Sequence, residues 1–227
     1  MINSLFNLFF PQACLGCSQF LSQNETVICT HCRHDIPLTN QHLHTEHEAT
    51  AKLYGRLPIE HISALMYFHK KGIVQELIHN LKYRAHQKIG TLIGNWYGSE
   101  LKTCIKLESI DAIIPIPLHH KRLKKRGYNQ VTTFGKALSE QLNCYYDDTI
   151  LKRMQHSKTQ TFKNLLGRNE IKTHTFEAHF NEKHHNKHFL LIDDVMTTGA
   201  TLEAAGKALL EIPDAKISIV CMAMSHS

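Results

Sequence analysis

Asp193 and Asp194 close an apolar run from Phe189 to Ile192, and Thr197, Thr198, Gly199, Ala200 and Thr201 follow. Adjacent carboxylates accept hydrogen bonds from sugar hydroxyls or hold the water shell of a metal ion. The small and hydroxylated residues after them suit a phosphate. If they open a helix, their amides face outward unpaired, the glycine lets the chain come close, and the threonine hydroxyls add donors. Two carboxylates would repel that phosphate, so the pair is expected at the sugar end of a sugar phosphate. A second set is Cys14, Cys17, Cys29 and Cys32, two Cys-x-x-Cys turns whose spacing suits a tetrahedral zinc ion. A module this small lacks apolar burial, whereas structural zinc supplies on the order of 10–16 kcal/mol at neutral pH. A redox dithiol and a disulfide pair compete with zinc; the first lacks its usual strand–helix setting and the second a secretory signal. A third set is cationic: Lys121, Arg122, Lys124, Lys125 and Arg126, with Gly127 next. It reads as an anion site at the end of a strand or as a solvated charged face.

These groups need elements to position them. The run before Asp193 reads as a buried strand that stops at the acidic pair, with the two carboxylates on opposite sides at its carboxyl end. Leu202, Ala205, Leu209 and Ile212 have helical spacing, ended by Pro213. Residues 62–68 read as another strand. Two helical faces follow, Ile73, Leu77, Ile78 and Leu81, then Ile89, Leu92, Ile93, Trp96 and Tyr97. Lys82, Arg84 and Lys88 read as solvated basic surface between them, and Trp96 as core. Residues 111–117 form a proline-closed strand, 118–130 a loop, and Val131, Phe134, Leu138 and Leu142 one face of a helix. The last strand, from Lys216 to Met222, is expected at an outer sheet position. Residues 38–57 are polar and histidine-rich and read as a linker or loose loop, with His42, His44 and His47 solvated. Cys104, Cys144 and Cys221 read as small core residues.

At 227 residues, 42% of them hydrophobic, the chain holds one α/β domain and a small appendage. A net charge of +6 permits anionic partners without naming one. The 18 histidines are scattered, which favours solvated positions over one metal cluster. The apolar start, Met1 to Pro11, has neither a basic flank nor a cleavage site and is too short to span a bilayer. A cytoplasmic location without a membrane span is expected.

The run Leu191-Ile192-Asp193-Asp194-Val195-Met196-Thr197-Thr198-Gly199-Ala200-Thr201 resembles the phosphoribosyl pyrophosphate (PRPP) loop of type I phosphoribosyltransferases. The series Pro115-Ile116-Pro117-Leu118, Lys121-Arg122 and Arg126-Gly127-Tyr128-Asn129-Gln130, behind a cysteine quartet, is similar to the ComF/GntX family of competence-associated proteins. That similarity extends to Lys82-Tyr83, Leu151-Lys152-Arg153, Lys158-Thr159-Gln160, Arg168 and Phe176. The resemblance implies an α/β phosphoribosyltransferase-like core, with a mostly parallel sheet flanked by helices, and a small N-terminal zinc ribbon held by four cysteines. The implied division is a ribbon over 1–40, a linker over 41–60 and the core over 61–227. By the same resemblance, Asp193 and Asp194 take the ribose hydroxyls and Thr197 to Thr201 cradle the 5′-phosphate. Arg122, Arg126 and Gly127 meet the pyrophosphate, and Mg²⁺ accompanies PRPP. Residues 155–187 stand where a mobile loop closes over PRPP, which makes Arg153, Lys158 and Arg168 catalytic candidates. Two departures stand out: Asn129 replaces the alanine of the amidophosphoribosyltransferases, and the acid Glu170 replaces a family amide. The implied function is PRPP binding in DNA uptake, with contacts to single-stranded DNA and to competence or DNA-processing proteins. The alternatives are an active transferase acting on a nucleobase or other small acceptor, and a nucleic-acid adaptor with a vestigial cup.

Overall fold

The structure, a computed structural model, describes residues 12–154 and 175–226. Its centre is a five-stranded parallel sheet of β1 (His61–Phe68), β2 (Ala112–Pro115), β3 (Tyr145–Tyr146), β6 (His188–Met196) and β7 (Lys216–Ser225). The spatial order is β1-β7-β6-β2-β3. A separate antiparallel ribbon pairs β4 (Leu151–Arg153) with β5 (Phe176–Ala178). Parallel strands are covered on both faces and therefore read as continuous apolar runs. Here alternate residues enter two cores. Ile113, Leu190, Ile192 and Val220 face α3 (Ile73–Tyr83), α4 (Lys88–Leu101) and α6 (Thr132–Leu142). Ile114, Leu191 and Ile219 face α7 (Ala200–Leu209).

Four features differ from the sequence expectations. β7 is not an outer strand; it lies between β1 and β6, because its residues Ile217 to Met224 are buried on both faces. β6 does not stop at the acidic pair but pairs with β7 as far as Met196. The basic stretch is not all loop: α5 (His120–Arg126) occupies it, built from good helix formers and ended by Gly127 at φ +81°. The stretch expected as a linker is packed, and it contains α2 (Glu48–Leu53). Ala49, Leu53 and Leu57 are buried in the core beneath α7, worth about 1.5–3 kcal/mol for each leucine. Gln41 is buried as well and accepts from the Ala64 amide through Oε1 at 3.0 Å.

The cysteine turns, with α1 (Thr30–Asp35) in the second, rest on the same core as α3 and α4. Asn80 Nδ2 donates to Leu15 O at 2.8 Å, and the Arg33 guanidinium lies 4.7 Å over the Trp96 ring. Trp96 is therefore half-buried under the module rather than in the interior, with its Nε1 donating to Glu100 at 2.7 Å. Among the described residues no helix is long and apolar enough to cross a membrane.

Candidate functional site

The parallel register brings the carboxyl ends of β2 and β6 together, pairing Pro115 with Ile192. Beyond them opens a cleft of about 700 Å³. Asp193 and Asp194 both border it, although they leave opposite faces of β6, because the cleft wraps the strand end. Arg122 and Arg126 enter from α5, and Arg153 from the end of β4. Phe176 of the paired strand lies buried under the Arg153 guanidinium, 5.1 Å from it. Thr201 lines the cleft from the first turn of α7.

The Gly199 turn follows from its sequence. The residue takes φ +77°, where L side chains are strained, and a Cβ there would stand 2.8 Å from Leu53 Cδ2. Glycine thus fits both the turn and the close approach of α2. The amide of Ala200 makes one long contact, 3.4 Å, to Thr198 Oγ1. The amides of Thr198, Gly199 and Thr201 have no protein acceptor among the described residues. A helix opening of this kind favours an anion. Thr197, Thr198 and Ala200 are exposed.

The charges are organised by a relay the sequence reading missed. Lys82 Nζ donates to Asp194 Oδ1 at 2.8 Å, Gln130 Nε2 donates to Asp194 Oδ2, and Arg126 donates to Gln130 Oε1. Asp194 is only 5% exposed, so these partners hold a nearly buried carboxylate. Lys82 is therefore no solvated cation. Arg84 does stay at the surface, 3.4 Å from Glu76. Asp193 accepts from the Asp194 amide at 2.8 Å and makes no ion pair among the described residues, feeling Lys82 and Arg153 only through space. Loss of water and the Asp194 charge push its carboxyl up to about 7. Arg153 shifts the other way: burial and the nearby Arg122 lower its pKa, opposed by Asp193. Arginines crowded in a partly dry cleft are the groups an anion relieves.

Among the expected site residues, Asp193, Asp194, Arg122, Arg126, Arg153 and Thr201 are brought to one cleft. Gly127 instead caps α5. Lys158, Arg168 and Glu170 lie outside the described residues. Arg56 is a further residue that sequence reasoning missed. Its guanidinium donates to Thr198 O at 3.0 Å and to Glu203 Oε2 at 2.9 Å, bracing the Gly199 turn from outside. The signal for Lys82 was its place in a recognisable Lys-Tyr step; for Arg56 the sequence offered none.

The four cysteines form a second centre. Their sulfurs lie within 4.8 Å of one another, with Cys14–Cys32 and Cys17–Cys29 both at 3.7 Å. Thiolates about 2.3 Å from a shared tetrahedral ion stand about 3.8 Å apart, so the donor set fits a metal. Burial opposes ionisation of Cys14, but the amides of Cys29, Cys17 and Gly16 outweigh it and bring the thiol to about 7. His31 and His34 are exposed and pair with Asp35 at 2.8 and 2.9 Å, so they take no part.

Comparison with known proteins places these features. Residues 131–227 match the phosphoribosyl transferase domain model. The DNA utilization protein YhgH of Escherichia coli O157:H7 is 28% identical over 149 residues, 64% of this chain and 65% of that protein. Competence protein F of Haemophilus influenzae is 31% identical over 53% of each chain. Competence protein ComFC of Bacillus subtilis is 26% identical over 61% of this chain and 54% of its own. The chain thus aligns with less than two thirds of the length of these relatives.

Proposed function

Because this chain belongs to the ComF/GntX family and carries its phosphoribosyltransferase-like domain, we propose that it binds PRPP with Mg²⁺ and serves DNA uptake, contacting single-stranded DNA. One observation carries the reading: a carboxylate pair shares a cleft with Arg122, Arg126 and Arg153, beside a helix opening where the amides of Thr198, Gly199 and Thr201 have no acceptor among the described residues. The guanidiniums match pyrophosphate, with fork geometry suited to its oxygens. The carboxylates match ribose hydroxyls, and the Gly199 turn matches the 5′-phosphate. Mg²⁺ would arrive on the pyrophosphate and offset its charge against Asp193. By the same resemblance, Lys158 and Arg168 join Arg153 as the candidates to steady departing charge.

The names of the relatives support the DNA role, as does the net charge of +6. The cysteine quartet is the site for a structural Zn²⁺ that fixes the first module. Competence or DNA-processing proteins are the expected partners, in the cytoplasm.

Calorimetry with PRPP and Mg²⁺ tests the site. Wild-type protein is expected to give saturable heat that Asp193→Asn with Asp194→Asn abolishes; equal affinity in both would refute the assignment. Binding of a labelled single-stranded oligonucleotide is expected to weaken steeply with salt. Transfer to a nucleobase is the competing reading, favoured by a cleft volume within the range of small-molecule sites. Pyrophosphate release across a nucleobase panel decides it, and silence across the panel removes it.

A further inference from the structure

A second cleft, of about 400 Å³, opens where β1 begins, at the other end of the sheet from the first. Histidines 42, 44, 47 and 61 line it together with Cys104. This is not the solvated scatter that composition suggests. The His42 side chain is 7% exposed and His61 is 7% exposed, while His47 and Cys104 are half-buried.

His61 is held from behind. Its Nε2 lies 2.7 Å from Ser63 Oγ, which also receives the buried Tyr97 hydroxyl at 2.6 Å. A serine oxygen has two lone pairs, enough to accept from Tyr97 and from a protonated Nε2 together. That tautomer turns the Nδ1 lone pair toward Cys104 Sγ, 3.8 Å away. An ion bonding both at ordinary zinc lengths sets nitrogen and sulfur about 3.6 Å apart. A ring nitrogen fixed by a hydrogen bond on its far side is the usual condition of a metal-bound histidine.

We propose that this cleft binds a borderline divalent metal ion, Zn²⁺ or Co²⁺, through Cys104 Sγ and His61 Nδ1, with His47 as third protein ligand and water completing the shell. Binding displaces the thiol proton to solvent and leaves a metal–thiolate bond. The contacts of His47 to Thr50 are long, 3.3–3.4 Å, and are the ones an ion would replace. Behind His42, at 3.8 Å, stands Glu100 Oε2, a buried oxygen without a hydrogen-bond partner among the described residues. Glu60 and Lys106, of opposite charge, also line the cleft. Only the cysteine quartet has three or more donors mutually within 4.8 Å among the described residues, so this second site must draw His47 inward and is the weaker of the two.

The test is a titration of protein whose quartet is already loaded, using Zn²⁺ against a competing chromophoric chelator, and Co²⁺ for its thiolate charge-transfer band. One further equivalent per chain is expected, lost in Cys104→Ser while the quartet keeps its own. His47→Gln and His61→Gln are each expected to weaken the second equivalent at least tenfold. Near-UV circular dichroism and the retained quartet metal report that each variant is folded. If His61→Gln fails to fold, Cys104→Ser and His47→Gln still decide. No second equivalent in the wild type, or one that survives Cys104→Ser, overturns the proposal; so does Co²⁺ uptake without a new thiolate band, which marks binding at surface histidines.

Discussion

Asp193→Asn is expected to make the ligand-free protein more stable while abolishing the proposed binding of PRPP. The native carboxyl is held near 7 against a reference of 3.8, by loss of water and by the charge of Asp194. Between those values the folded chain keeps a proton that the unfolded chain has released, so wild-type stability falls as pH rises from about 4 to about 7. Above pH 7 both states are ionised and the whole penalty applies. At 1.36 kcal/mol per pH unit it is about 4 kcal/mol at most, which water at the partly exposed rim reduces to about 2. Asparagine removes the charge and retains an oxygen to accept the Asp194 amide, now at 2.8 Å. Urea denaturation of both proteins at pH 8 and pH 4 is the assay. The variant should be about 2 kcal/mol more stable at pH 8, with the difference closing by pH 4, and should show no PRPP heat. A variant equal to or less stable than wild type at pH 8, with the fold intact, would refute the account of Asp193 as a carboxylate kept at a cost for function.

Lys82→Met strands the buried Asp194 carboxylate and should cost about 3 kcal/mol in denaturant unfolding; Lys82→Met with Asp194→Asn should recover most of it, and no recovery would mean that Lys82 acts through packing. Arg56→Met removes the brace on Thr198 O and should weaken PRPP binding about fivefold by calorimetry, with stability nearly unchanged. Trp96 is the single tryptophan and lies 4.7 Å under Arg33, so stripping metal from the quartet should change its emission. Loss of the metal with an unchanged spectrum would count against docking of the module on α4.

What could be read in the chain was what is local. The strand, the acidic pair and the Gly199 turn occupy consecutive residues, and their chemistry follows from residue type and period alone. The two Cys-x-x-Cys turns are equally local, and they converge as their spacing suggests. The misses share a cause in distance along the chain. Lys82 and Asp194 are 112 positions apart, and although the Lys82-Tyr83 step marked the lysine, it did not say which carboxylate it pairs with. The Arg56 brace to Thr198 spans 142 positions. The packed stretch before β1 was legible in part: Ala49, Leu53 and Leu57 recur at intervals of four, a helical stripe that the surrounding histidines and charges obscured. The basic stretch of α5 was ambiguous for another reason, since lysine and arginine favour helices but also populate solvated loops.

These misses belong to one arrangement. Leu53 supports the Gly199 turn from below, and Arg56, one turn along the chain, ties its Thr198 carbonyl to α7. Across the cleft, Lys82 and Gln130 set the orientation of Asp194, and Gln130 in turn holds Arg126. The Gly199 turn on one side and the Asp194–Gln130–Arg126 relay on the other are therefore positioned by different segments of the chain. A ligand with anionic groups at both ends of a pentose engages both sets at once, whereas a simple phosphate engages one. PRPP should accordingly bind far more tightly than ribose 5-phosphate or pyrophosphate alone. Equal affinities for the three would mean that the two halves do not act as one site.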